Sequence, residues 1–271
     1  MTDARTGGRA AALVLVAALV TACGHHPEPV FPATVNVGQS PSSPGWGNVD
    51  PAGHRSGFDH DLANWLGQQL RFNPVPVNVI SQDREQELRK GAVTLIVATY
   101  SITDERRKSV GFAGPYMLGQ QGIMVLRSER DKYRSLSDLK GKIVCATINS
   151  TSADQLRTLG IPVAVVEKYV YKECLDALHS RQVDVISTDQ LLLYGLQLGD
   201  EQVYVPPAIE FGQQERYGIG LPKGDKAKCQ VVTDKLRELL TNGTWNAFFH
   251  ENLPGVDAAS HKPDPNHLNP C

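Results

Sequence analysis

Residues 91–116 read GAVTLIVATYSITDERRKSVGFAGPY, and the fold turns on this stretch. Leu95, Ile96, Val97 and Ala98 form a short apolar run with β-branched members, the signature of the end of an interior strand. Polar residues follow at once. Thr99, Ser101 and Thr103 offer hydroxyls and freed backbone N–H groups at a strand's carboxyl end, where open α/β sheets place their ligand crevice. Thr103 followed by Asp104 and Glu105 marks a helix start, with acids in the first turn and Arg106 just inside it. A guanidinium meets a carboxylate through two parallel hydrogen bonds, which an ammonium cannot do. The alternative keeps Arg106 and Arg107 on the surface, paired with Asp104 and Glu105.

Outward from this stretch, strands and helices alternate. Residues 35–38 start a first strand, and Pro41, Ser42, Ser43, Pro44 and Gly45 make an irregular loop. Residues 58–70 repeat apolar side chains at helical spacing through Leu62, Ala63, Leu66 and Leu70. A strand over 75–80, a polar helix over 84–90 and a strand over 93–98 complete a doubly wound α/β lobe. Residues 122–126 enter a second lobe. Its parts are strands over 143–146, 163–166 and 183–187, with helices over 151–159 and 171–180. Residues 217–221 cross back, and two amphipathic helices over 228–240 and 244–249 return to the first lobe. Two crossings give a hinge, since each can bend while the lobes stay rigid.

The amino terminus carries an address. Arg5 and Arg9 precede the run AALVLVAALV, then Thr21, Ala22 and Cys23, the layout of a signal peptide over 1–22. The run falls short of the about 20 apolar residues a membrane span needs. Val20 to Cys23 resembles a lipobox, so Cys23 is expected to carry diacylglycerol and palmitate and to begin a tether over 23–33. Two or more chains anchor stably where one is marginal. A soluble body on the extracytoplasmic face of the cell membrane follows. With 27 basic and 29 acidic residues interspersed, the net charge of -2 provides no field for nucleic acid.

ITDERR at 102–107, with Val110, Phe112, Pro115 and Tyr116, resembles the signature of the type 3 extracellular solute-binding proteins, which serve ABC importers of polar amino acids. SGFDHDLANWL (56–66), DLKGKIVCATINSTS (138–152), VDVISTDQ (183–190) and NGTWNAFF (242–249) extend the resemblance over nearly the whole mature chain. The settings of Cys145 and Cys174 are similar to those in actinobacterial glutamate-binding lipoproteins. The resemblance implies a periplasmic-binding-protein-like α/β fold: two doubly wound lobes, 34–118 plus 222–271 and 119–221, joined by a two-crossing hinge around a central ligand cleft.

It also implies roles. Arg106 and Ser101 take the ligand carboxylate, and the Thr99 carbonyl faces the ammonium. Asn149, Ser150 and Thr151 stand where the family has Gly-Thr-Thr, at a helix amino terminus able to bind an anion. Asparagine there departs from the pattern but tolerates positive φ. Asp189 pairs with the ammonium, while Asp184 is structural. Trp46 covers the ligand's aliphatic part or packs in the core. Gln39, Ser40, Gln120 and Gln121 are candidates for reading the side chain, and His54, Arg55 and Lys168 for a second basic group. Setting Cys23 aside leaves Cys145, Cys174, Cys229 and Cys271, which allow three pairings in an oxidising compartment. Cys145 with Cys174 and Cys229 with Cys271 is preferred, because each bridge then stays within one lobe.

The expected function is capture of a free polar L-amino acid, glutamate- or glutamine-like, by a monomer that presents it to a permease and ATPase, with no cofactor and no metal. Two rivals stand beside it. An arogenate or cyclohexadienyl dehydratase would need a poised general acid, yet the sequence has no GxSxG, HExxH or phosphate loop. Asp104 and Glu105 read as first-turn complements to the helix dipole. A sensor reporting to a membrane partner would share the whole ligand site, so the sequence does not separate it from a transport receptor.

Overall fold

The structure, a computed structural model, describes residues 1–2, 29–269 and 271. Residues 3–22 of the expected signal peptide, Cys23 and the expected tether as far as residue 28 lie outside the described residues. The first lobe opens with β1 (Thr34–Gln39). A small antiparallel sheet follows, made by β2 (Ser42–Ser43), β3 (Gly47–Val49) and β4 (Arg55–Ser56). Then come α1 (Phe58–Leu70), β5 (Asn73–Asn78), α2 (Arg84–Lys90), β6 (Leu95–Ile96) and α3 (Asp104–Ser109). β7 (Val110–Leu126) leads to the second lobe: β8 (Ile143–Thr147), α4 (Thr151–Thr158), β9 (Ala164–Lys168), α5 (Tyr171–His179), β10 (Val185–Asp189), α6 (Gln190–Leu198) and β11 (Val203–Tyr204). β12 (Glu210–Pro222) returns, followed by α7 (Lys226–Thr241) and α8 (Thr244–Asn252).

The main sheet runs β5-β1-β6-β12-β7-β10-β8-β9, with β11 against β7. Its two ends are parallel, β1 pairing with β5 and β6, and β8 with β9 and β10. Its centre is antiparallel. β7 and β12 pair from Val110↔Pro222 to Gly122↔Glu210, with irregularities between Phe211 and Glu215 and between Tyr217 and Ile219. The 17 residues of β7 absorb the expected strand at 122–126, and the 13 residues of β12 absorb the crossing at 217–221. The expected strand at 93–98 forms a ladder only at Leu95 and Ile96, because the chain turns away at Thr99, which has φ +42°. Helix α6 has no counterpart in the periodicity. QLLLYGLQL is apolar nearly all round, and a helix buried on most sides lacks an amphipathic stripe.

Aromatic side chains fill the junction under the two long strands. Trp46, Phe58, Tyr116, Tyr217, Trp245 and Phe249 are fully buried. Phe58 stacks on Tyr116 at 5.9 Å, Trp46 meets Tyr217 edge-on at 5.4 Å, and Trp245 stacks on Phe249 at 5.0 Å. The indole N–H of Trp245 donates to Tyr116 O at 2.7 Å. The carboxyl-terminal tail lies along β7: Asn269 N–H donates to Gly114 O at 2.7 Å, and Leu118 N–H donates to His261 O at 2.9 Å. Among the described residues no helix is long and apolar enough to cross a membrane.

Cys145 is bonded to Cys174, tying β8 to α5, and Cys229 to Cys271, tying α7 to the end of the tail. Replacing Cys145 and Cys174 together by alanine is expected to cost about 3 kcal/mol in the chain-entropy account of a closed loop. Urea unfolding of the oxidised proteins measures it. Gly195 carries a second expectation, because a β-carbon there would lie 2.1 Å from Pro44 O and 3.3 Å from the Trp46 ring. Gly195→Ala should therefore cost about 1–3 kcal/mol by overpacking, read in the same experiment.

Candidate functional site

One cleft lies between the two lobes at the carboxyl ends of the parallel strands. The first lobe contributes Ser40, Ser42, Ser43, Arg84, Thr99, Ser101 and Arg106. The second contributes Thr147, Ser150, Thr151, Ser152, Tyr171, Thr188 and Asp189. This is the crevice position that a doubly wound sheet provides. Hydroxyl groups dominate both walls, and three ionisable side chains, Arg84, Arg106 and Asp189, stand among them.

Arg106 is set by the start of α3, where the Thr103 side chain accepts from Arg106 N–H at 3.1 Å. Its side chain is only 10% exposed. Nη1 donates to Ser101 O at 2.9 Å, and Nη2 crosses the cleft to Asn149 O at 3.0 Å. The ion pair is with Glu85, 3.5 Å from Nε. Glu105 pairs instead with Lys108. The surface-pair alternative for Arg106 is thus replaced by a role in the cleft wall.

Arg84 has the same setting and was not singled out in the sequence. It is 4% exposed, and its hydrogen bonds go to carbonyls: Ser81 O at 3.3 Å, Ala98 O at 2.9 Å and Thr99 O at 3.4 Å. Its guanidinium lies 4.6 Å from the Tyr100 ring centre and that of Arg106 lies 5.1 Å away, so one ring carries two cations. Glu85 serves Arg106 and also accepts from Tyr100 OH at 2.5 Å. Arg106 thus has an ion-pair partner in Glu85, whereas Arg84 bonds to carbonyls and has the buried Asp59 carboxyl nearby. Burial and the Arg106 charge hold the Arg84 pKa below its ordinary value. A signal was present in the sequence. Arg84 is the first residue of a helix, where the dipole disfavours a cation, so the position asks for a compensating reason.

The facing wall is built by α4 and the ends of β8 and β10. Ser150 caps α4, accepting from Ala153 N–H at 3.2 Å and donating to Thr147 O at 2.7 Å. Asn149 adopts φ +58°, the conformation the family's glycine would supply without strain. Tyr171 OH shares a 2.5 Å hydrogen bond with Thr188 Oγ1 and accepts from Thr147 at 3.2 Å. Asp189 ends β10. Its carboxylate accepts from Tyr217 OH at 2.6 Å and Gln121 Nε2 at 2.5 Å. Gln121 also donates to Glu215, and Ser152 donates to Gln121.

The cleft therefore assembles Arg106, Ser101, Thr99, Asp189, Ser150 and Thr151 from distant parts of the chain. Asn149 meets it through its backbone carbonyl. Trp46 does not line it. Its loop folds inward onto α6, where the indole N–H donates to Leu191 O at 3.2 Å and the Phe58 and Tyr217 rings enclose it, so the core reading holds. Among the side-chain candidates Ser40 lines the cleft, Gln121 is buried directly behind it on Asp189 and Ser152, and Gln39 and Gln120 are outside its lining. The three basic candidates also lie outside it: His54 bonds to Asp50, Arg55 donates to Asn78, and Lys168 ends β9. Arg84 is the second basic side chain that lines the cleft. Tyr171 and Thr188 were not legible as site residues either.

Burial pushes the Asp189 carboxyl well above its ordinary 3.8, and the Glu215 charge adds to this against the Tyr217 and Gln121 hydrogen bonds and the Arg106 charge. The folded state then holds the proton more tightly than the unfolded chain. Stability through this group is full below the unfolded value and is lost as pH rises toward the folded one. Asp189→Asn is expected to flatten that decline, as measured by urea unfolding at a series of pH values.

The bacterial extracellular solute-binding proteins, family 3, match over residues 35–253. The chain is 31% identical to the glutamate-binding protein GluB of Corynebacterium glutamicum, over 93% of this chain and 91% of that one. It is 33% identical to a glutamine-binding protein of Geobacillus stearothermophilus, over 67% and 70% of the two chains. The cysteine-binding protein of Campylobacter jejuni superposes with a TM-score of 0.77 at 23% identity, covering 86% of this chain and 96% of that one, which shows the shared fold. A two-lobed sheet with its cleft at the strand ends, together with a family match across most of the chain, means that this protein belongs to the bacterial extracellular solute-binding proteins, family 3.

Proposed function

We propose that this protein is an extracytoplasmic receptor that closes its lobes on a polar L-amino acid, glutamate foremost, and presents it to an ABC importer. The observation that carries the reading is the pair of buried guanidiniums, Arg84 and Arg106, 4.6 and 5.1 Å from the Tyr100 ring centre, with Asp189 on the opposite wall. A monocarboxylate would answer one of these cations. A dicarboxylic amino acid answers both, and its ammonium answers Asp189.

In this reading the α-carboxylate sits on Arg106 and Ser101, with Ser150 and Thr151 at the start of α4 closing from the second lobe. The ammonium meets Asp189 and the Thr99 carbonyl. The side-chain carboxylate reaches Arg84, with the Tyr171 and Thr188 hydroxyls facing it. Contacts from both lobes to one ligand favour the closed state over the open one, which is the differential affinity a closure requires. The lobes are 34–118 plus 222–271 and 119–221, hinged on β7 and β12. The relatives named for glutamate and glutamine support the choice of ligand. The proposal extends to the amino terminus: a signal peptide over 1–22, diacylation of Cys23 and a tether over 23–33 would hold a monomer on the outer face of the cell membrane. Binding, with no turnover, is the activity proposed.

Calorimetric titration of the mature protein with the twenty L-amino acids tests this. L-glutamate is expected to bind most tightly. Arg106→Ala should weaken every ligand by about 100-fold or more, the loss of a bidentate charge-assisted pair. Arg84→Ala should weaken glutamate by a similar factor and glutamine by only about tenfold, since the amide carries no charge to lose. Equal losses for both ligands on Arg84→Ala would rule out its role as reader of the side-chain carboxylate, and silence across the panel would rule out the receptor reading.

A further inference from the structure

Asp59 is a fully buried carboxylate that plays no direct part in the cleft. It sits in the first turn of α1, and its own N–H is fixed on Trp46 O at 2.9 Å. Oδ1 accepts from Tyr116 OH at 2.6 Å, and Oδ2 accepts from Thr99 N–H at 2.8 Å. The second bond has a consequence for the cleft. The N–H of Thr99 and the C=O of Ala98 belong to one peptide group, and that carbonyl accepts from Arg84 Nη1 at 2.9 Å. One planar peptide is thus held at its N–H by a carboxylate and at its oxygen by a guanidinium. Planarity makes the two bonds mutually orienting, because turning one end of the unit turns the other.

The same peptide leads into the strained point of the cleft wall. Thr99 has φ +42°, a region that a β-branched residue enters only when its surroundings over-determine it. We infer that Asp59 is a positioning residue of the ligand cleft, holding the Ala98–Thr99 peptide so that Thr99 keeps its left-handed turn and Arg84 keeps its direction. This rests on the reading that the cleft binds a polar amino acid through Thr99 and Arg84. The groups facing Asp59 are few: Tyr116 from β7, Arg84 from α2 and the Thr99 amide. Burial pushes its carboxyl up to about 7, opposed by the Tyr116 and Thr99 hydrogen bonds and the Arg84 charge. Burial and the Arg106 charge lower the Arg84 pKa below its ordinary value, and burial and the Asp59 charge raise that of Tyr116 well above its own.

The test compares Asp59→Ala, Asp59→Asn and Tyr116→Phe in the full mature protein, with L-glutamate and L-glutamine as probes. Asp59→Ala is expected to weaken L-glutamate about tenfold and to narrow the gap between the two ligands, as loss of one charged hydrogen bond to the peptide would. Asp59→Asn keeps an oxygen toward Thr99 and should stay within about threefold of the parent for both probes. Tyr116→Phe removes the other bond of Asp59, so its melting temperature should fall while the gap between ligands is kept. A second readout needs no ligand: amide hydrogen exchange at Thr99 should quicken in Asp59→Ala and stay slow in the other two. Should Asp59→Ala not fold, the Thr99 amide resonance of the parent must titrate with the Asp59 carboxyl. A parent-like affinity and ligand gap in Asp59→Ala, or a Thr99 amide indifferent to Asp59, would overturn the inference. If no amino acid binds the parent protein, the receptor reading fails, while the exchange measurement still decides whether Asp59 holds the peptide.

Discussion

Two antiparallel strands, Val110–Leu126 and Glu210–Pro222, carry the chain between the lobes, and the remaining architecture is arranged around them. They form the centre of the main sheet and join two parallel halves whose strand ends must then face one another. That constraint places the crevice. Strand ends expose unpaired backbone groups and the residues that follow them, so each half delivers polar side chains to the same gap. The aromatic cluster beneath the crossing, with Tyr116 from one strand and Tyr217 from the other, removes water from the pivot and leaves the walls above it as the polar surface.

The electrostatics follow from the same placement. Tyr116 and Tyr217 each give a hydroxyl to a buried carboxylate, Asp59 in the first lobe and Asp189 in the second. Both carboxyls are pushed upward by burial. One turns its other oxygen to a backbone amide beneath the cleft, and the other lines the cleft itself. Against them stand Arg84 and Arg106, buried on the first wall around Tyr100. Unpaired charge is costly away from water, and this cost is why the ligand proposed above is a zwitterion with a further anionic group. The link from Arg106 to Asn149 O shows that the cation also reaches the facing wall directly.

Much of the lobe plan was legible because it is local. The 58–70 helix and the 84–90 helix fall where periodicity and composition put them, and Thr103 caps the helix that orients Arg106. The long central strands were legible only in pieces, since Gly111, Gly114 and Pro115 interrupt the pattern that a strand of this length would otherwise show. Helix α6 was missed for the opposite reason, being apolar on nearly every side. Of the proposed site, the motif residues Thr99, Ser101, Arg106, Ser150, Thr151 and Asp189 line one cleft. Those outside the motifs did not announce themselves.

Residue order alone set the helices at 58–70 and 84–90, the family pattern they belong to, and the short polar motifs that follow strand ends. These properties depend on side-chain periodicity, turn chemistry and residue order, all written within a few positions of each other. The tertiary structure alone decided that Trp46 packs against Leu191 O and that Gly195 must be small beneath Pro44. It decided, too, that Arg84 turns from a charged helix into the cleft, and that Asp59 holds a peptide some forty positions away. The physical reason is common to all of them: burial and hydrogen-bond partnership are properties of distant segments brought within a few ångströms, and no local pattern encodes a neighbour that only folding supplies.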